Sequence, residues 1–497
     1  MKYKPQTKEE LIDLIEKKTK FNKIDTSLIT DMSELFKDSM LRNFSGIETW
    51  DTSNVKDMSF MFFSAKSFNH DISNWNVSKV KNMSNMFCLA EKFNQPLNTW
   101  DVSNVTNMSG MFSSAKKFNQ PLNDWNVSKV INMEHMFCGC KLFNQPLNNW
   151  DTSNVENMSC MFFETENFNF PLNSWNVGNV IKMYSMFFEA ESFNQPLNNW
   201  NVSKVTDMSG MFYKAVNFNQ PLNNWDTSNV ENMQSMFAGA YNFNQPLNNW
   251  NVSKTEKMIG MFEGAKSFNQ DINNWNVSNV KNMSSMFCGA ESFNQPLDKW
   301  DTSNVVNMKF MFYNAKNFNQ NINTWNVCNV IKMYSMFEDA YNFNQPLDKW
   351  DTSNVLYMNR MFFNAKNFNQ DIRSWNVFSA ISMSYMFSGA ESFDQSIENW
   401  TINKSCDIKD IFSSSYNDMK SILKIYFIAK GNYKKQLLSM LENCDIKEVY
   451  KEVLKYNKLK DFIKKLENTY YDELKELIEN KENILKEYKQ NSKNKMI

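Results

Sequence analysis

The chain has 497 residues with 53 basic and 54 acidic side chains, a balance that excludes the electrostatic footprint of a nucleic-acid binder. Eleven glycines, and ten prolines nearly confined to one recurring position, exclude long flexible linkers. No apolar run approaches the roughly 18 residues of a membrane span.

The chain opens with MKYKPQTKEELIDLIEKK, which carries acidic residues where a secretory leader needs an apolar core. Thr7 and Glu10 form a capping box ahead of Leu11, Ile12, Leu14 and Ile15, so residues 1–23 read as a short amphipathic helix that caps the first repeat. Beyond it the chain is periodic. All fifteen tryptophans fall 25 residues apart, from Trp50 to Trp400. The segment from Ile24 to Met32 repeats that from Trp50 to Met58 at an offset of 26, so a degenerate first copy precedes the first tryptophan. A fixed period in this range means units that cannot bury their apolar face alone and stack on their neighbours. Residues 24–414 are therefore a solenoid of about fifteen 25-residue copies.

Within one copy, Met208, Met211, Phe212 and Ala215 stand at i, i+3, i+4 and i+7, the apolar face of a short α-helix. Phe218 to Asn223 come next, and alternation around Trp225 predicts a short strand between Gln220 and the residue after the tryptophan. The asparagine after the phenylalanine, as at Asn94, Asn119 and Asn144, is expected to form a ladder in which each side chain bonds the backbone of the next turn. Eight cysteines share no common phase and read as free thiols; the two histidines, His70 and His135, lie in different phases and suggest no shared acid–base or metal site. From 415 to 497 the period is lost and the composition turns rich in Lys, Glu and Leu, which reads as an all-α segment. Its series Ile463, Leu466, Tyr470, Leu474, Leu477, Ile484 and Tyr488 has heptad-like spacing, open to a helical cap or to a self-associating coiled coil.

The recurring phrase FNQPLNNWNVSNV followed by Met-x-x-Met-Phe-x-x-Ala, as in Phe268 to Ala290, resembles the 25- to 26-residue repeat of the BspA-like leucine-rich-repeat surface proteins of bacteria. The likeness spans residues 24–412. It implies a leucine-rich-repeat-like fold and, for exported members, attachment or protein binding at the cell surface. The expected architecture is thus an α/β solenoid with one short helix and one short strand per turn, with the all-α segment after it.

No Gly-rich phosphate loop, Cys-x-x-Cys pair or recurring histidine calls for catalysis, a metal or a cofactor. The expectation is a non-enzymatic scaffold that presents a long surface to a protein or glycan partner, with contacts drawn from positions that vary between copies: Lys116, Lys117, Glu191, Tyr241 and Tyr341. A second reading, of a different class, is a structural protein oligomerised through its C-terminal helices.

Overall fold

Each repeat winds as a series of tight turns, and this replaces the expected helix. In the copy that begins at Trp200, the amides of Met208, Gly210, Phe212 and Lys214 leave their own repeat. They donate to the carbonyls of Asn232, Gln234, Met236 and Ala238 at 3.0, 2.8, 2.9 and 2.7 Å. The amides between them close local turns: Met211 to Met208 at 3.2 Å, Tyr213 to Gly210 at 3.0 Å and Ala215 to Phe212 at 3.0 Å. An α-helix would keep all these donors on carbonyls four residues back. Here half of them join neighbouring copies, and every backbone donor from Met208 to Ala215 apart from Ser209 is used in one of these two ways; Ser209 donates to the side chain of Asp207 at 2.8 Å.

The winding explains why the sequence imitates a helix. Gly210 at φ 60° and Lys214 at φ 50° both sit in the left-handed region, four residues apart, as the third residue of a type II turn requires. A four-residue pitch sends 208, 211, 212 and 215 inward just as a 3.6-residue pitch would. Over two turns the apolar pattern cannot separate them. The predicted strand around Trp225 does not form either. Parallel pairing falls instead on the residue before the first methionine, as isolated bridges, with one further bridge between Phe387 and Phe412. Among the described residues there is no strand longer than such a bridge, and the repeats are not an α/β solenoid.

The computed structural model describes residues 2–412, then 446–454 and scattered positions between 422 and 485. It comprises two compact units, Met1–Asn304 and Val305–Ile497. In the first, helix α1 (Lys8–Glu16) is capped by Thr7, whose hydroxyl accepts the Glu10 amide at 3.3 Å, while the Glu10 carboxylate accepts the amide of Gln6 at 2.7 Å. Tyr3 pairs with Ile24, and from Asp31 onward the bridges run through Asp57, Asn82 and their equivalents to Asn282. In the second unit they run from Asn307 through Lys332, Tyr357 and Ser382 to Asp407.

The core is nearly the same in every copy, with Cys140 and Thr165 in place of the usual alanine. Met208, Met211, Phe212, Ala215, Phe218 and Leu222 are fully buried, and Trp225 is 2% exposed. Phe212 and Phe218 stack at 4.0 Å within the copy, and Phe212 meets Phe237 of the next at 5.6 Å. The indoles line up as well: Trp200 and Trp225 lie 6.4 Å apart with planes 2° from parallel, and in the second unit Trp375 and Trp400 lie 6.3 Å apart. One buried indole removes about 150 to 250 Å² from water, roughly 4 to 6 kcal/mol per repeat before chain entropy is counted.

The expected all-α C-terminal segment is corrected too. Helix α2 (Ile446–Val453), which buries Val449, Tyr450 and Val453, is the only helix with described bounds beyond the repeats. Leu466, Tyr470, Leu477 and Tyr488 of the heptad-like series lie outside the described residues.

Candidate interaction surface

With interior and backbone donors committed to stacking, the outward side chains are what the repeats can offer a partner. The residues singled out from the sequence share one repeat position, with Lys117 one position further on. In the first unit the row at this position is largely occupied by contacts along the stack. Lys116 lies 3.5 Å from Glu91, Lys141 lies 2.5 Å from Glu166, and Lys266 lies 3.8 Å from Glu291. Lys117 and Glu191 are exposed, and the Glu191 carbonyl accepts Nδ2 of Asn217 at 2.9 Å. Tyr241 is 43% exposed, with the Lys266 ammonium 5.1 Å from its ring. In the second unit Tyr341 is half-buried beneath Lys366 at 5.7 Å.

A different row, on the face formed by the turns, gathers aromatic rings that sequence reasoning missed. In the first unit Phe163, Phe188 and Tyr213 stack in succession at 4.4 and 4.3 Å, each half-buried. The signal was present as three aromatic residues spaced 25 apart, but a helix would have given that position no special role.

The second unit builds the densest version of this face. Phe310 meets Tyr334 edge-on at 5.1 Å, with Lys309 5.6 Å above Tyr334. The Arg360 guanidinium lies 4.3 Å from the Phe363 ring and 5.7 Å from that of Tyr385. It also pairs at 3.2 Å with Glu338, which is 5% exposed. Burial pushes the Glu338 carboxyl up, and Arg360 opposes that shift. Lys409 completes the row 5.6 Å from Tyr385. Arginine locked between aromatic rings, with part of its surface in solvent, is the composition of an interface hot spot.

The face holds little reactive chemistry. Burial pushes the Cys138 thiol up to about 11, those of Cys160 and Cys288 up to about 12, and that of Cys140 well above the usual range. Such thiols stay protonated and poorly nucleophilic. The seven described cysteines are free, and burial lowers the His135 imidazole. Among the described residues no group of three His, Cys, Asp or Glu could hold a metal, and no helix is long and apolar enough to cross a membrane.

A family model described as Mycoplasma protein of unknown function, DUF285, matches residues 9–125, 109–222, 136–247, 191–295, 215–325, 242–347 and 317–425. The chain belongs to the DUF285 family. The matches overlap because a repeat can be laid on itself in many registers. Those starting at 191, 215 and 242 are displaced by 24 and 27 residues, about one copy each. DUF285 is thus a repeat family in this chain, and its matches run past the last tryptophan. No curated protein matches the chain.

Proposed function

We propose that this DUF285 chain is a non-enzymatic scaffold whose stacked repeats present a surface to a macromolecular partner. The observation that carries the reading is Arg360, held between Phe363 and Tyr385 and paired with the buried Glu338, on a face whose backbone donors are already used between repeats. A side chain ordered before binding loses little entropy on contact, which is what an interface anchor needs. The likeness of the repeat to those of BspA-like bacterial surface proteins supports the same reading, with adhesion as its setting. Tyr241 in the first unit and Tyr341 in the second, each under a lysine, stand at the same repeat position and are the second candidate contacts. Affinity capture with the wild-type chain, with Arg360→Ala/Tyr385→Ala and with Tyr241→Ala/Tyr341→Ala separates the two sets of contacts. Loss of the captured proteins in the first variant alone is the expected result, and equal recovery by all three chains would contradict it.

A further inference from the structure

Glu338 puts a carboxyl group where neighbouring copies place rings. Its repeat position holds Phe163, Phe188 and Tyr213 in the first unit, and Tyr313 and Phe363 in the copies before and after it in the second. Side chains at this position touch along the stack, as Phe163 and Phe188 do at 4.4 Å, which accounts for the 5% exposure of Glu338. A buried carboxylate needs a partner, and Arg360 Nη1 supplies one 3.2 Å from its Oε1. Glu263 holds the same position in the first unit, where the residue equivalent to Arg360 is Ser285, and Glu263 is exposed.

Both ends of the pair stand on fixed backbone. The Glu338 carbonyl accepts the Asn314 amide at 2.8 Å, and the Arg360 amide donates to the Ser384 carbonyl at 2.8 Å. Arg360 thus reaches back one copy to Glu338, while its guanidinium lies 4.3 Å from the Phe363 ring of its own copy and 5.7 Å from the Tyr385 ring of the next. Burial, the largest influence on Glu338, favours the neutral acid; the Ser335 hydroxyl and Arg360 favour the ionised form, and Asp339 opposes it. Asp339 is itself engaged, its Oδ1 accepting Nδ2 of Asn364 at 3.0 Å.

Protonation of Glu338 takes the charge from one side of this bond. A charge-assisted contact becomes an ordinary one, and attraction to the rings alone holds a partly exposed guanidinium weakly. We propose that Glu338 is a protonation switch: charged, it fixes Arg360 between Phe363 and Tyr385, ready for a partner, and neutral, it releases the guanidinium to solvent. The pair is made at neutral pH and is lost as pH falls through the folded value of Glu338, which burial sets above the usual glutamate value. The proposal rests on the scaffold reading for what the switch controls.

The chain has three arginines, Arg42, Arg360 and Arg373, so ¹⁵N-arginine labelling of the full chain gives one Nε–Hε signal for each, and Arg360→Lys assigns its own by removing it. Arg42 is exposed and marks the mobile limit. Arg373 bonds Asp371, whose carboxyl that same arginine holds low, so it stays ordered in mild acid and reports that the second unit is folded. Near neutral pH the order parameter of Arg360 should match rigid backbone, about 0.85, and on acidification it should fall below about 0.6 along a single-proton curve while Arg373 is unchanged. Glu338→Gln should leave Arg360 mobile at every pH, and if that variant fails to fold the wild-type titration decides alone. Arg360 ordered at every pH, mobile at every pH, or loosening only together with Arg373 overturns the proposal, as does an ordered Arg360 in Glu338→Gln. Should Arg360 loosen as expected while wild type and Arg360→Ala/Tyr385→Ala capture the same proteins, the switch stands and the scaffold reading fails.

Discussion

Trp225 donates its indole Nε1–H to the carbonyl oxygen of Leu197 in the preceding repeat, 2.9 Å away. The same bond recurs from Trp200 to Leu172 at 3.0 Å and, in the second unit, from Trp375 to Leu347 at 2.9 Å. The tryptophan therefore both fills its own repeat and closes a buried carbonyl of its neighbour. Trp225→Phe keeps most of the apolar volume and removes one of the two hydrogen bonds to that carbonyl, which still accepts the Trp200 amide at 3.0 Å, at an expected cost of about 1 kcal/mol. Trp225→Ala adds a cavity, for about 3 to 5 kcal/mol. Urea unfolding measures both, and amide exchange should quicken first in the copies on either side of the substitution.

The left-handed positions give a second prediction. Gly289 stands at φ 67°, and a Cβ there would meet only the Gly264 backbone, no closer than 3.6 Å. A Cβ has room, so Gly289→Ala should cost about 1 to 2 kcal/mol from backbone conformation. Ser285 has φ 58° in the same repeat, and Ser285→Gly should be neutral or stabilising. Equal effects of the two substitutions on thermal unfolding would show that these residues are not left-handed.

A third concerns acid. Hydrogen bonds from the Ser228 hydroxyl and amide hold the Asp226 carboxyl below its ordinary value, and the serine two residues on does the same for Asp51, Asp101, Asp301 and Asp351. A carboxyl depressed in the folded state adds stability above its unfolded value, roughly pH 4, and loses it as pH falls through the folded value. Copies with asparagine at this position, such as Asn201, make the same turn without titrating, its Oδ1 taking the Ser203 amide at 3.2 Å. Replacing all five aspartates by asparagine should flatten the fall in stability between about pH 5 and pH 2, measured by urea unfolding, by comparison with wild type.

The thiols provide a fourth. Cys138, Cys160 and Cys288 have their thiols raised to about 11 or 12, so little thiolate exists at neutral pH. Iodoacetamide at about pH 7.5 should leave them unmodified in the native chain and label them in urea, as read by mass spectrometry. Rapid native labelling of Cys138 would contradict the packing of the turn face.

Much of this fold was legible in the sequence because stacking imposes the same interior on every copy. The 25-residue period, the inward set of Met208, Met211, Phe212 and Ala215, and the asparagine ladder through Asn94 and Asn119 all arise from residue type and spacing, and the structure shows each of them. The local conformation was not legible, since turns of four residues and helical turns of 3.6 bury the same four side chains. One signal separated them: Gly139, Gly239, Gly264, Gly289 and Gly389 share one repeat position and Gly110, Gly210 and Gly260 another, both left-handed. A helix has no use for glycine recurring four residues apart. The turn face was hidden for the same reason, because Arg360, Phe363 and Tyr385 converge only once the backbone coils in this way.

Site-resolved ¹³C chemical shifts of the segment from Met208 to Ala215 test the turn-built stack most directly. Tight turns predict no helical run, with left-handed values at Gly210 and Lys214 repeated at Ser235 and Gly239 in the next copy. Continuous helical shifts from Met208 through Ala215 would contradict them.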